Sequence, residues 1–304
     1  MTAAGLATEQ GRRVAVAIAA LVLGATAMGA SVLFVRWADV GPYASAFWRV
    51  FLALPFLWGW MRWENRGVAR RGPAIDRAVI LSGLFFTGDL FFWHLAILGT
   101  TVANATFLAT MAPIFVALGA WLVLAEAVER HVLIGLALCI SGGFALLGES
   151  YGFAPQRLLG DLYGVATALF FGAYVLAVRA ARARHGAAEV MFVSTAITAV
   201  CLFVIAFLFE PRILPRSANG VAALLALALI SQVGGHGLLA VALGTLPATF
   251  SALVIFFEAI AAATFGWLLL NEPLGLVQAF GGVLILFGIY VARPRADATP
   301  GVAP

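Results

Sequence analysis

The chain has 304 residues, of which 63% are hydrophobic and 11% charged, and its mean hydropathy is +1.03. So much apolar surface excludes an ordinary soluble domain and belongs against lipid. The formal charge of +4 comes without a single lysine, and a nucleic-acid partner is set aside in favour of arginines gathered at a membrane rim.

A helix needs about 20 mostly apolar residues to cross a bilayer, and ten such runs follow in chain order. Span 1, 14–35, comes after Arg12-Arg13 and is too long for the apolar region of a signal peptide. Span 2, 44–61, carries Trp48 and Arg49 in its outer third. Span 3, 78–98, carries Asp89, with Trp93 four residues on, on the same face, and His94 turned elsewhere. Spans 4 and 5, 105–124 and 132–148, follow, with Glu126 closing span 4. Span 6, 161–180, holds Tyr174, and span 7 is 188–209. Span 8, 221–243, places Gln232 and His236 on one face. Span 9, 249–270, places Ser251 and Glu258 on one face and ends near Trp267. Span 10 is 276–292. The runs lack strict alternation, which excludes a β-barrel, so the fold class is all-α and polytopic. Cys139 and Cys201 sit inside apolar runs and are read as core thiols rather than a disulfide.

Arginine placement sets the orientation. With the N-terminus inside, thirteen arginines fall on the cytoplasmic side and four (Arg36, Arg157, Arg212 and Arg216) on the outer side. Both tails, 1–13 and 293–304, are then cytoplasmic. The string Gly29-Ala-Ser-Val-Leu-Phe-Val-Arg36 returns as Gly172-Ala-Tyr-Val-Leu-Ala-Val-Arg179, and Trp121…Glu126 returns as Trp267…Glu272. Residues 14–148 and 161–292 therefore read as two five-helix repeats. An odd number of spans inverts the second copy in the membrane, which is the layout of many secondary transporters.

The stretch Thr101-Val-Ala-Asn-Ala105, Ala112-Pro113 and Trp121…Glu126, with its second copy at Ala248 to Trp267, Glu272-Pro273 and Gly281-Gly282, resembles the ten-span EamA-like branch of the drug/metabolite transporter superfamily. One departure is Ala259, which stands where Pro113 stands in the first copy. The resemblance implies metabolite transport, and in length and layout the chain is most similar to bacterial amino-acid exporters of the inner membrane.

Ionisable groups inside a bilayer are costly and usually face a wet cavity. Asp89, Glu258 and the Gln232/His236 pair lie near one depth on three spans, which predicts a midplane substrate cavity. Asp89 or Glu258 would take a substrate ammonium, and Arg49, His94 or a helix end near Pro113 its carboxylate. Arg49 pairing with a carboxylate simply to hold the fold is the competing reading. Trp93, Tyr174 and Trp267 are added as aromatic candidates. Glu126 and Glu272 read as structural, each serving the N-terminus of the next helix. The glycines of spans 5 and 10 mark packing faces or a homodimer contact. No cofactor or metal is expected, and without lysine no Walker motif exists to make the chain an ATPase. A drug/cation or nucleotide-precursor exporter is the alternative within the fold. From another class the rival is a polytopic membrane enzyme, against which the short loops and the lack of metal-ligand spacing count.

Overall fold

A computed structural model describes residues 3–66, 75–100, 102–147, 155–270 and 274–294. Among these residues it is all helix, arranged as ten rods. They are α1 (Ala3–Gly29 continuing as Ser31–Trp37), α2 (Pro42–Phe51 and Leu54–Glu64), α3 (Arg77–Gly99), α4 (Val102–Ala109 and Ala112–Val123), α5 (Arg130–Leu147), α6 (Leu158–Arg182), α7 (Ala187–Phe209), α8 (Ala218–Leu243), α9 (Ala248–Ile255 and Phe257–Leu270) and α10 (Leu276–Val291). Six are long and apolar enough to cross a membrane unaided. Large apolar side chains such as Leu23, Leu122, Phe207 and Phe280 stand exposed on their outer faces, as lipid contact requires.

Several rods are interrupted, and proline explains two cases. Pro55 has no N–H for the Phe51 carbonyl, and α2 breaks at Leu52–Ala53. Pro113 likewise deprives the Ala109 carbonyl, and α4 breaks at Thr110–Met111. In α9 the break at Phe256 has no proline; the backbone tightens instead, with Phe256 N–H bonding Leu253 O at 3.1 Å and Ala259 N–H bonding Phe256 O at 3.1 Å. Span 105–124 is thus two half-helices, with the helix end expected near Pro113, and span 249–270, for which no break was expected, is two as well. The stretch Leu227–His236 of α8 is wound as a π-helix, a form found mostly at functional sites.

The packing pairs exchange when the two chain halves are swapped. α1 packs on α8 as α6 packs on α3, and α1 packs on α9 as α6 packs on α4, while α2 with α7 and α5 with α10 are self-matched. The repeated string explains itself here. A Cβ at Gly29 would lie 2.7 Å from the Glu258 carbonyl oxygen, and one at Gly172 would lie 3.2 Å from that of Ala112. Each glycine lets its helix rest on the start of a half-helix. The glycine faces of spans 5 and 10 meet each other within the chain: a Cβ at Gly142 would lie 2.6 Å from Gly281 O, and one at Gly281 2.5 Å from Gly142 O. Any homodimer would have to use other faces of these helices.

The helix ends are tied reciprocally. Glu64, which ends α2, accepts from Ala187 N and Ala188 N, both at 3.0 Å, at the start of α7. Glu210, just past α7, accepts from Tyr43 N at 2.5 Å at the start of α2. Asp39, after α1, accepts from Arg216 N at 3.0 Å and Ser217 N at 2.7 Å ahead of α8. Glu126, after α4, accepts from Ala248 N at 3.2 Å at the start of α9. Four orphan N–H groups per helix N-terminus and a positive dipole end make these carboxylates stabilising. Glu126 therefore does serve a helix N-terminus, but that of α9 rather than of the next helix, because the repeat brings α4 and α9 together. Glu272 lies outside the described residues.

Candidate functional site

The two half-helix breaks face one cavity containing about 1020 Å³ of space, part of it open to the outside. Its wall includes Met28 and Ser31 from α1, Arg49 from α2, Asp89 and Trp93 from α3, Thr110 and Pro113 from α4, Thr167 and Phe171 from α6, His236 from α8, and Phe256, Glu258 and Ala259 from α9. Asp89 and Trp93 share a face, as their spacing predicts. Glu258 falls in the first turn of the second half of α9, where the half-helix dipole favours a negative charge.

Arg49 is 8% exposed and held from behind. Its Nε donates to Gln232 Oε1 at 3.2 Å, and one terminal nitrogen lies 3.2 Å from His236 Nδ1. Gln232 in turn donates to Thr195 Oγ1 at 3.3 Å. An arginine has only donors, so Nδ1 of His236 accepts where it faces Arg49; the same atom lies 3.1 Å from Ser231 O, to which it donates in the other tautomer. Gln232 and His236, four residues apart on the π-wound stretch, reach Arg49 together. Below them Phe86 stacks on Tyr174 with centroids 4.8 Å apart, and Arg49 sits 5.9 Å over the Phe86 ring.

Asp89 and Glu258 are placed differently. Neither has a hydrogen bond or ion pair to a described residue, yet both line the cavity and both feel the charge of Arg49. The reading of Arg49 as a plain structural partner of a carboxylate does not match this arrangement, since its direct partners are Gln232 and His236.

Of the predicted residues, Asp89, Trp93, Arg49, His236 and Glu258 come together on the wall, and Gln232 stands directly behind it. Tyr174 is 1% exposed beneath Phe86, outside the wall. His94 is buried between Trp93 and Tyr43, with Nδ1 2.5 Å from Leu90 O and Nε2 unpartnered. Trp267 is 50% exposed on the outer surface, away from the cavity. Ser251 is fully buried off the wall, because the break at Phe256 resets the register between it and Glu258. Met28, Ser31, Thr110, Thr167 and Phe171 were missed: uncharged and locally unremarkable in sequence, they reach the wall only through packing. The glycines of the repeated string were the available signal for the α1 and α6 contribution.

The family model of the EamA-like transporters matches residues 15–148 and again 158–293. The chain belongs to the EamA-like transporter family. This EamA-like transporter is a multi-pass membrane protein, by its family and its apolar helices. It is 27% identical over 265 residues to an uncharacterized transporter of Archaeoglobus fulgidus, covering 84% of this chain and 89% of that one. It is 26% identical over 226 residues to the pseudopaline exporter CntI of Pseudomonas aeruginosa, covering 74% and 77%. A solved crystal structure shares the fold of this EamA-like transporter, with a TM-score of 0.78 at 19% identity over 93% of this chain and 96% of that chain.

Proposed function

We propose that this EamA-like transporter exports small metabolites bearing amino and carboxylate groups, amino acids first among them, by alternating access through the cavity. The observation that carries the reading is the convergence of one braced guanidinium, Arg49, and two carboxylates, Asp89 and Glu258, that have no hydrogen-bond partner among the described residues, on the same wall. Arg49 offers donors to a substrate carboxylate, and the acidic pair offers acceptors to its ammonium. The discontinuous α4 and α9 lining the cavity agree with transporter sites built at broken helices. Residues 14–148 and 161–292 act as inverted repeats whose exchange of conformation opens the cavity to either side. The membrane is the bacterial inner membrane, with both tails in the cytoplasm. The likeness to a pseudopaline exporter supports the outward direction.

The wall of Trp93, Phe171 and Phe256 beside two carboxylates also suits an apolar organic cation, which keeps a cationic-drug exporter as the second reading. Counterflow in proteoliposomes against amino acids, nucleosides and cationic drugs separates them. The expected result is amino-acid counterflow that Arg49→Lys lowers more than tenfold, because a point ammonium cannot keep both the Gln232 and His236 bonds. Counterflow with drugs alone, unaffected at Arg49, refutes the first reading.

A further inference from the structure

The ionisable wall of the cavity is unbalanced. Its four titratable members are Arg49, Asp89, Glu258 and His236. His236 is counted as neutral, since a second positive charge 3.2 Å from the Arg49 guanidinium would be repelled. Arg49 contributes one positive charge, and its direct bonds go to two uncharged side chains, so neither carboxylate is consumed in holding it. Asp89 and Glu258 contribute two negative charges when both are ionised, lie on different chain halves and accept no hydrogen bond from a described residue. They also act on each other and on Arg49 electrostatically. The formal sum is therefore one net negative charge inside a low-dielectric shell, where an uncompensated charge is expensive.

A simple zwitterion satisfies one carboxylate and the guanidinium but leaves the second carboxylate without a partner. We infer that the preferred cargo is an aminocarboxylate with two ammonium groups and one carboxylate, the class of the basic diamino acids, seated with one ammonium on Asp89, the other on Glu258, and the carboxylate on Arg49. The inference rests on the amino-carboxylate reading above and adds the charge that the cargo must carry. The aliphatic stem of such a molecule would run along Trp93, Phe171 and Phe256, which are apolar and leave the polar ends to decide selection.

The test uses the full chain in proteoliposomes and equilibrium binding of labelled L-lysine, L-ornithine, L-norleucine and L-lysinamide. Norleucine lacks the second amine, and lysinamide lacks the carboxylate. Lysine or ornithine should bind at least about tenfold more tightly than norleucine, the factor equivalent to about 1.4 kcal/mol. Lysinamide should lose a similar factor through Arg49. Asp89→Asn and Glu258→Gln, nearly isosteric, should each weaken lysine about tenfold and bring norleucine level with it or ahead. Equal binding of norleucine and lysine, with one proton taken up per norleucine bound, overturns the inference, because a proton then supplies the missing charge, yet leaves the amino-carboxylate reading standing. Binding of lysinamide as tightly as lysine overturns the seat on Arg49. Failure of all four probes overturns the amino-carboxylate reading and this inference with it.

Discussion

Replacing Glu126 with Gln should open the end of the molecule below the cavity. The carboxylate takes Arg179 Nε at 3.0 Å with one oxygen and Ala248 N–H at 3.2 Å with the other, while Arg179 also donates to Leu243 O at 3.0 Å. α4, α6, α8 and α9 are thereby tied one turn from Ala252, which lines the cavity. Gln keeps one acceptor oxygen, so either the cap or the ion-pair bond is lost. A lost N-terminal cap costs about 1 kcal/mol, and a pair whose side chains are 27% and 22% exposed contributes up to about 1 kcal/mol after solvent screening. A loss of about 1 kcal/mol shifts the open-to-closed ratio roughly 5-fold. The assay is labelling of Ala252→Cys, in a chain with Cys139 and Cys201 replaced, by an impermeant thiol reagent applied from the Glu126 side. Labelling should accelerate by that factor while the melting temperature stays within a few degrees. Unchanged labelling with a large loss of melting temperature would show that Glu126 only holds the fold, and the reasoning fails.

Ala125 has φ of 53°, in the left-handed region that a side chain disfavours by about 1–2 kcal/mol; Ala125→Gly should raise the melting temperature and Ala125→Val should lower it. Gly29→Val should cost about 1–3 kcal/mol by overpacking, since its Cβ would press on the Glu258 carbonyl and on Ala261; Gly59→Ala, with nothing within 4 Å, serves as a near-neutral control in the same thermal melt. Asp76 caps α3 and takes bonds from Val79 N–H at 3.0 Å and His185 at 3.1 Å, with Arg184 at 2.9 Å. Burial pulls its carboxyl up, but these hydrogen bonds and the Arg184 charge outweigh that and hold it below the ordinary carboxylate value. Its folded pKa is thus the lower one, so its stabilisation is complete above about pH 4 and fades as pH falls through the folded value. Asp76→Asn should therefore flatten the acid limb of a melting-temperature profile and lie below the wild type at neutral pH.

The ten helices, the duplication and the ionisable members of the cavity wall were legible because each rests on a local signal. Apolar run length marks a span, the recurring Gly29 and Gly172 strings mark the halves, and a charge such as Asp89 or Glu258 inside an apolar run marks a polar interior. The unread features depend on tertiary contact. The break at Phe256 has no proline to announce it; only its offset from Met111, 256 − 111 = 145, ties it to the break at Pro113. The π-winding of Leu227–His236 has no mark in the sequence comparable to a proline. Trp267 and His94 entered as candidates by residue type, and the position of each on its helix takes them off the wall. Glu126 was read as serving the adjacent helix because sequence gives no hint that α4 and α9 meet.

The crossed ties between helix ends bear on synthesis. When the first half leaves the ribosome, Asp39, Glu64 and Glu126 are already present, but the amides they hold, at Arg216 and Ser217, Ala187 and Ala188, and Ala248, have not yet been made. The start of α2 likewise waits for Glu210. Neither half completes itself, so two separately translated halves would each be degraded alone and rescued by the other when produced together.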